Sequence, residues 1–176
     1  TAYSLAEAGK KVLFIDADLR KSVLTGRYKI SGEMKGLTHF LSGQGDLSEI
    51  LCKTNEKGLF VIFAGPVPPN PAELLGSKKF AALLKEARNI YDYIIIDTPP
   101  LGSVIDSAIV SAVCDAAILV ISANTISYKF ARSVKDQLAK TGCNILGVVL
   151  NKVSMKQNKY YGKYYGKYYG HYGSDK

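Results

Sequence analysis

A chain of 176 residues, 47% hydrophobic and 22% charged, has the composition of an ordinary globular protein and the length of one domain with a real core. The three cysteines (Cys52, Cys114 and Cys143) are odd in number, lack CxxC spacing and have apolar or strand-like flanks, which argues against a disulfide framework or a zinc site. A formal charge of +8 favours anionic partners such as nucleotides, nucleic acid or anionic lipid without choosing among them.

In chain order, Thr1–Gly9 reads as the back half of a helix that Gly9 ends. VLFID (Val12–Asp16) follows as a strand-like apolar run, and GLFVIFAG (Gly58–Gly65) is a shorter one. A helical pattern over Lys78–Arg88 leads to YIIID (Tyr93–Asp97). Helical Asp106–Val113 precedes AAILVIS (Ala116–Ser122), and Ser127–Thr141, with Gly142 as its C-cap, precedes ILGVVLN (Ile145–Asn151). The apolar runs are continuous rather than alternating, so both faces of each strand are expected to be buried, as in a parallel sheet covered by helices. Strands alternating with helices predict an α/β, doubly wound fold with a mostly parallel sheet. A helix that opens such a chain without its strand leads to the expectation that a first strand and loop lie upstream of Thr1. No apolar stretch is long enough to span a bilayer and no secretory leader stands out, so a cytoplasmic location is expected.

After Val153 the pattern changes to repeated K-Y-Y-G, which holds seven of the twelve tyrosines. Glycine at every fourth position costs a helix about 1 kcal/mol each, and the repeat lacks the alternation of a packed strand. The expected division is a nucleotide-binding domain over residues 1–153 and a disordered, tyrosine-rich tail over 154–176. Alone, such a tail could also be a sticky low-complexity segment or stack on single-stranded nucleic acid.

Two of the buried runs end in aspartate, in VLFIDAD and YIIIDTPP. In an open parallel sheet, ligands bind in the crevice at the carboxyl ends of the strands. Asp16, Asp18 and Asp97 would converge there if the two strands are neighbours. Carboxylates so placed repel each other unless a cation joins them, and Mg²⁺ takes oxygen ligands and bridges to phosphates. The plainer alternative is that each aspartate only begins a turn or caps a helix.

VLFIDADLRKS resembles the second nucleotide motif, Walker A-prime, of the bacterial tyrosine kinases of capsule and exopolysaccharide synthesis. YDYIIIDTPP resembles their Walker B, and AGPVPPNPAELLGSKKF (Ala64–Phe80) resembles a segment distinctive of that family. With the tyrosine cluster, four landmarks stand in the family's order. Either Walker motif alone is shared with P-loop ATPases that partition chromosomes and place septa.

The resemblance implies a P-loop NTPase-like fold and an ATP- and Mg²⁺-dependent protein-tyrosine kinase that phosphorylates its own tail. It implies that Asp16 accepts the tyrosine proton, with Asp18 beside it in the catalytic loop, and that Asp18 and Asp97 help to hold Mg²⁺. It implies adenine contact for Asn151 and leaves the role of Arg20 open. Its phosphate acceptors would be Tyr160, Tyr161, Tyr164, Tyr165, Tyr168, Tyr169 and Tyr172. The implied partners are further copies of the chain in a ring that exchanges tails, a membrane activator of the polysaccharide co-polymerase kind, and a protein-tyrosine phosphatase, but not nucleic acid. Location would be cytoplasmic, at the inner face of the membrane through that activator. The family's Walker A loop, G-x-x-x-x-G-K-[ST], is missing, so GKS or GKT is expected immediately upstream of Thr1. A partition-type ATPase and a catalytically dead nucleotide-fold scaffold are the rival readings.

Overall fold

The computed structural model describes residues 1–27, 34–101 and 105–153. Its first half runs α1 (Ala2–Glu7), β1 (Val12–Asp16), α2 (Leu24–Arg27), α3 (Leu37–Leu41), α4 (Leu47–Ile50), β2 (Leu51–Lys53) and β3 (Leu59–Ile62). Its second half runs α5 (Pro71–Leu75), α6 (Lys78–Ala87), β4 (Tyr93–Asp97), α7 (Asp106–Ser111), β5 (Ala116–Ser122), α8 (Tyr128–Ala139) and β6 (Asn144–Asn151). The strands order as β2-β3-β1-β4 in one sheet and β5-β6 in another. β1 pairs in parallel with both β3 and β4, β5 pairs in parallel with β6, and among the described strands only short β2 runs antiparallel. This is the expected mostly parallel α/β architecture.

Local chemistry explains the element ends. Ser77 and Ser127 cap α6 and α8 by accepting the Phe80 and Phe130 backbone N–H groups at 3.2 Å. Pro71 opens α5, where its missing N–H is no loss. Gly65, at φ 83°, turns the chain out of β3 beside Gly36, where an added Cβ on Gly36 would lie 2.5 Å from the Gly65 nitrogen. This close approach fixes the start of the proline-rich segment before α5.

The core gathers Leu13, Ile15 and Ile62 from the sheet with Leu37, Leu75, Phe80, Leu83, Leu84 and Val110 from the helices. β1 lies at its centre, with Val12 and Ile15 fully buried. The expectation that both faces are buried is corrected in part at β4, whose end residues Tyr93 and Asp97 are exposed and whose middle is half-buried, and most clearly at β5 and β6. They bond to each other and not to the four-stranded sheet, and Val120, Leu146 and Val148 are exposed at 65%, 66% and 57%. A continuous apolar run is thus buried on both faces at β1 and not at this pair. No helix among the described residues is long and apolar enough to cross a membrane.

Candidate active site

The loop after β1 and the loop after β4 leave the sheet side by side. The parallel register sets Asp16 opposite Asp97, and the Ala17 N–H donates to the Asp97 carbonyl at 2.8 Å, carrying the ladder one residue past the strand. Two acidic side chains therefore start from the same level of adjoining strands, at the carboxyl edge where α/β folds bind ligands.

The first loop folds around its own carboxylates. Asp16 is 1% exposed. Its Oδ1 accepts the Asp18 N–H at 3.2 Å, and its Oδ2 accepts the Ser22 hydroxyl. Half-buried Asp18 accepts the N–H groups of Arg20 at 3.1 Å and Lys21 at 2.9 Å through Oδ1. Asp18 does begin a turn, as the plainer sequence reading had it. That turn occupies one of its oxygens, and Oδ2 has no hydrogen bond among the described residues.

The electrostatics follow from this crowding. Burial raises the Asp16 carboxyl above the ordinary carboxylate value, and the nearby Asp97 and Asp18 add to the rise against hydrogen bonds from Ser22 and Asp18 that lower it. Asp97 is open to solvent on one side and is raised as well, first by desolvation against the protein and then by Asp18. Among the described residues no cation pairs with Asp16, Asp18 or Asp97. Nor do three or more acidic, histidine or cysteine side chains close tightly enough to hold a metal unaided. Mutually repelling carboxylates with free oxygens and an incomplete ligand set fit Mg²⁺, which keeps waters and takes further oxygens from phosphate. Asp18 and Asp97 are the groups that would face such an ion.

Asn151 ends β6 opposite Ser122, is exposed, and accepts the Lys152 N–H at 2.8 Å. No hydrogen bond among the described residues brings it to the three aspartates. The tail acceptors Tyr160, Tyr161, Tyr164, Tyr165, Tyr168, Tyr169 and Tyr172 lie outside the described residues.

Three further residues join the site. Ser22 holds Asp16, and sequence offered only a hydroxyl a few positions downstream. Arg20, left without a role by the sequence, reaches across to Asp106, with Nε to Oδ2 at 2.6 Å and a second contact to Oδ1 at 2.9 Å. Asp106, fully buried at the start of α7, gave one sequence signal: an acid opening an apolar helix.

The family model described as an AAA domain matches residues 1–145. The tyrosine-protein kinase CpsD of Streptococcus pneumoniae serotype 4 is 50% identical over 159 residues, covering 90% of this chain and 70% of its own length. The solved kinase domain of VpsO superposes with a TM-score of 0.81 at 40% identity, covering 87% of this chain and 75% of that one. The septum site-determining protein MinD of Pyrococcus horikoshii, solved with Mg-ADP, superposes with a TM-score of 0.69 at 26% identity, covering 85% of this chain and 60% of that one. This chain spans 66% to 70% of the length of the CpsD relatives it matches.

Proposed function

Because this chain belongs to the AAA-domain family and, within it, to the bacterial tyrosine-protein kinases, we propose that its paired-aspartate crevice transfers the terminal phosphoryl group of ATP to tyrosine. The observation that carries this reading is the register of Asp16 against Asp97 on adjoining parallel strands. A phenol, with a pKa of about 10, is a poor nucleophile near neutral pH until a base assists it. Asp16 is suited to that task. It is buried, burial holds its carboxyl above the ordinary carboxylate value, and the Ser22 hydroxyl orients it. Asp18 stands beside it, its backbone-bound oxygen fixing the loop and its other oxygen left to face a metal. With Asp97 it would hold Mg²⁺, which supplies charge neutralisation for the phosphates when bound. Asn151 would contact the adenine.

The tail over residues 154–176 is the proposed acceptor. A segment of that length spans at most about 80 Å, which is enough to enter a neighbouring copy's crevice in a ring. Each phosphate adds about −1.5 to −2 charge, so full modification of the seven tyrosines reverses the basic tail and releases it from acidic neighbours. A membrane activator would place the enzyme at the inner face of the cell membrane, a tyrosine phosphatase would reset the tail, and the cycle would regulate capsule or exopolysaccharide synthesis.

The test is phosphotyrosine in the full-length protein expressed with its activator. The reading expects phosphate on the tail cluster and its loss in Asp16→Asn. A partition-type ATPase would turn over ATP without phosphotyrosine, and a dead scaffold would do neither. Either result sinks the proposal.

A further inference from the structure

Two loops carry the carboxylates, and the same short helix is tied to both. Asp106, the first residue of α7, is fully buried and takes both Arg20 contacts in a bidentate pair, the geometry in which guanidinium and carboxylate are most directional. Arg20 itself sits two residues past Asp18, and its own N–H is bound to the Asp18 carboxylate. The next residue of α7, Ser107, is also buried, and its hydroxyl donates to the carbonyl of buried Pro99, two residues past Asp97. Each end of this link therefore closes within two residues of a site aspartate. The remaining ion pairs among the described residues, Lys35–Glu49, Arg88–Asp115 and Lys135–Asp136, all join exposed side chains. A fully buried acid bound by a forked donor is costly to keep unless its geometry is held, and here that geometry spans the crevice.

We propose that Asp106 and Ser107 form a buckle that, through Arg20 and Pro99, sets the distance between the Asp16–Asp18 loop and the Asp97 loop. All three side chains are assigned as positioning residues, which act by holding Asp18 and Asp97 where one cation can meet both. The inference rests on the kinase reading above for its functional consequence. Its structural half, that the buckle holds the loops, stands on the contacts alone.

The experiment uses full-length protein carrying Arg20→Lys, Asp106→Asn or Ser107→Ala, with three readouts. Amide hydrogen exchange without nucleotide should speed up over residues 17–21 in the first two variants and around 98–101 in Ser107→Ala, with β1 unchanged. The Mg²⁺ concentration for half-maximal tyrosine phosphorylation should rise about tenfold or more, the usual effect of losing a residue that orients metal ligands, while KM for the tyrosine substrate stays put. The thermal midpoint separates this from simple unfolding. The double variant Arg20→Met/Asp106→Leu, an apolar pair of similar bulk, should recover the midpoint without recovering the Mg²⁺ response. Unchanged loop exchange and unchanged Mg²⁺ dependence in a folded Arg20→Lys protein would overturn the buckle and leave the kinase reading intact. A wild-type protein that forms no phosphotyrosine at any Mg²⁺ concentration overturns the functional half of the inference together with that reading. Recovery of both midpoint and Mg²⁺ response in the double variant would show that the pair serves stability alone.

Discussion

At the amino ends of β1 and β4, the charged groups of Lys11 and Asp92 each have a partner. The Lys11 N–H donates to Asp92 Oδ2 at 2.7 Å, and the Lys11 ammonium lies 5.2 Å from the Tyr91 ring centre and 5.8 Å from that of Phe60. Those two rings meet edge to face at 5.5 Å. At the carboxyl ends of the same strands, Asp16 and Asp97 stand opposite each other with no cation paired to them among the described residues. One end of the strand pair is closed by compensation, whereas the other keeps like charges together at a cost. Unrelieved electrostatic cost at the ligand-binding edge of a parallel sheet marks a site, and compensated charge at the far edge marks structure.

The largest effect expected from this contrast is at Asp16. Asp16→Asn keeps the shape and an acceptor for Ser22 but removes the base, and should lower tail phosphorylation by about 10²-fold or more. It should not destabilise the fold. A buried, raised carboxyl is a burden when ionised, so the urea midpoint near pH 8 should stay or rise. Normal phosphorylation together with a collapsed midpoint would make Asp16 a structural residue and erase the contrast.

The next effect belongs to the closed end. Tyr91→Ala removes an aromatic pair and the ring beneath Lys11, and should cost about 2 kcal/mol in urea unfolding. Phosphorylation per folded molecule and its Mg²⁺ dependence should stay at the wild-type values. A shift in Mg²⁺ dependence would mean that the two ends of the strands are coupled.

How much of this could be read beforehand depends on the range of the forces involved. β1, β4, β5 and β6 were legible because continuous apolar runs are local signals, and α6 and α8 because helices of 10 and 12 residues are long enough for a helical pattern to show. β2 is three residues long, and α2, α3, α4 and α5 are one turn or little more, too short for periodicity to show. The aspartates could be picked out because each follows an apolar run. That they are opposite each other is a property of the β1–β4 pairing, which no local pattern contains. Asp106 was less legible still. It lies 86 positions from Arg20, and only the folded chain brings them together. The exposed faces of β5 and β6 teach the reverse lesson: an apolar run states what a strand can tolerate, while its neighbours decide what is covered.

A third prediction follows the sign of the carboxyl shifts. Asp16 and Asp97 both have folded-state values raised above the ordinary one. Between the unfolded and folded values the native state binds more protons than the unfolded state, so their contribution to stability falls as pH rises through that window and stays low above it. Measured against Asp16→Asn, the wild type should lose stability from the ordinary carboxylate range upward, so the substitution removes part of that downward slope. Mg²⁺ with a non-hydrolysable ATP analogue should flatten it too, because a bound cation relieves the ionised pair. A slope of opposite sign that vanishes in Asp16→Asn would show the carboxyl to be stabilised by its hydrogen bonds rather than strained by burial.

The smallest effect tests the compensated end from its exposed side. Lys11→Met keeps the backbone N–H to Asp92 and an apolar stem across Phe60 and Tyr91, so only the ammonium-to-ring attraction is lost. For a cation at an exposed site that attraction contributes about 0.5–1 kcal/mol, and the variant should unfold at a slightly lower urea concentration with unchanged phosphorylation. The double variant Lys11→Met/Tyr91→Ala separates the contributions. If the ammonium acts through the Tyr91 ring, the double should cost less than the sum of the singles, and additive losses would place the lysine's contribution elsewhere. A loss near 2 kcal/mol from Lys11→Met alone would be more than an exposed cation over these rings supplies, and would make charge rather than ring packing what holds the amino end closed.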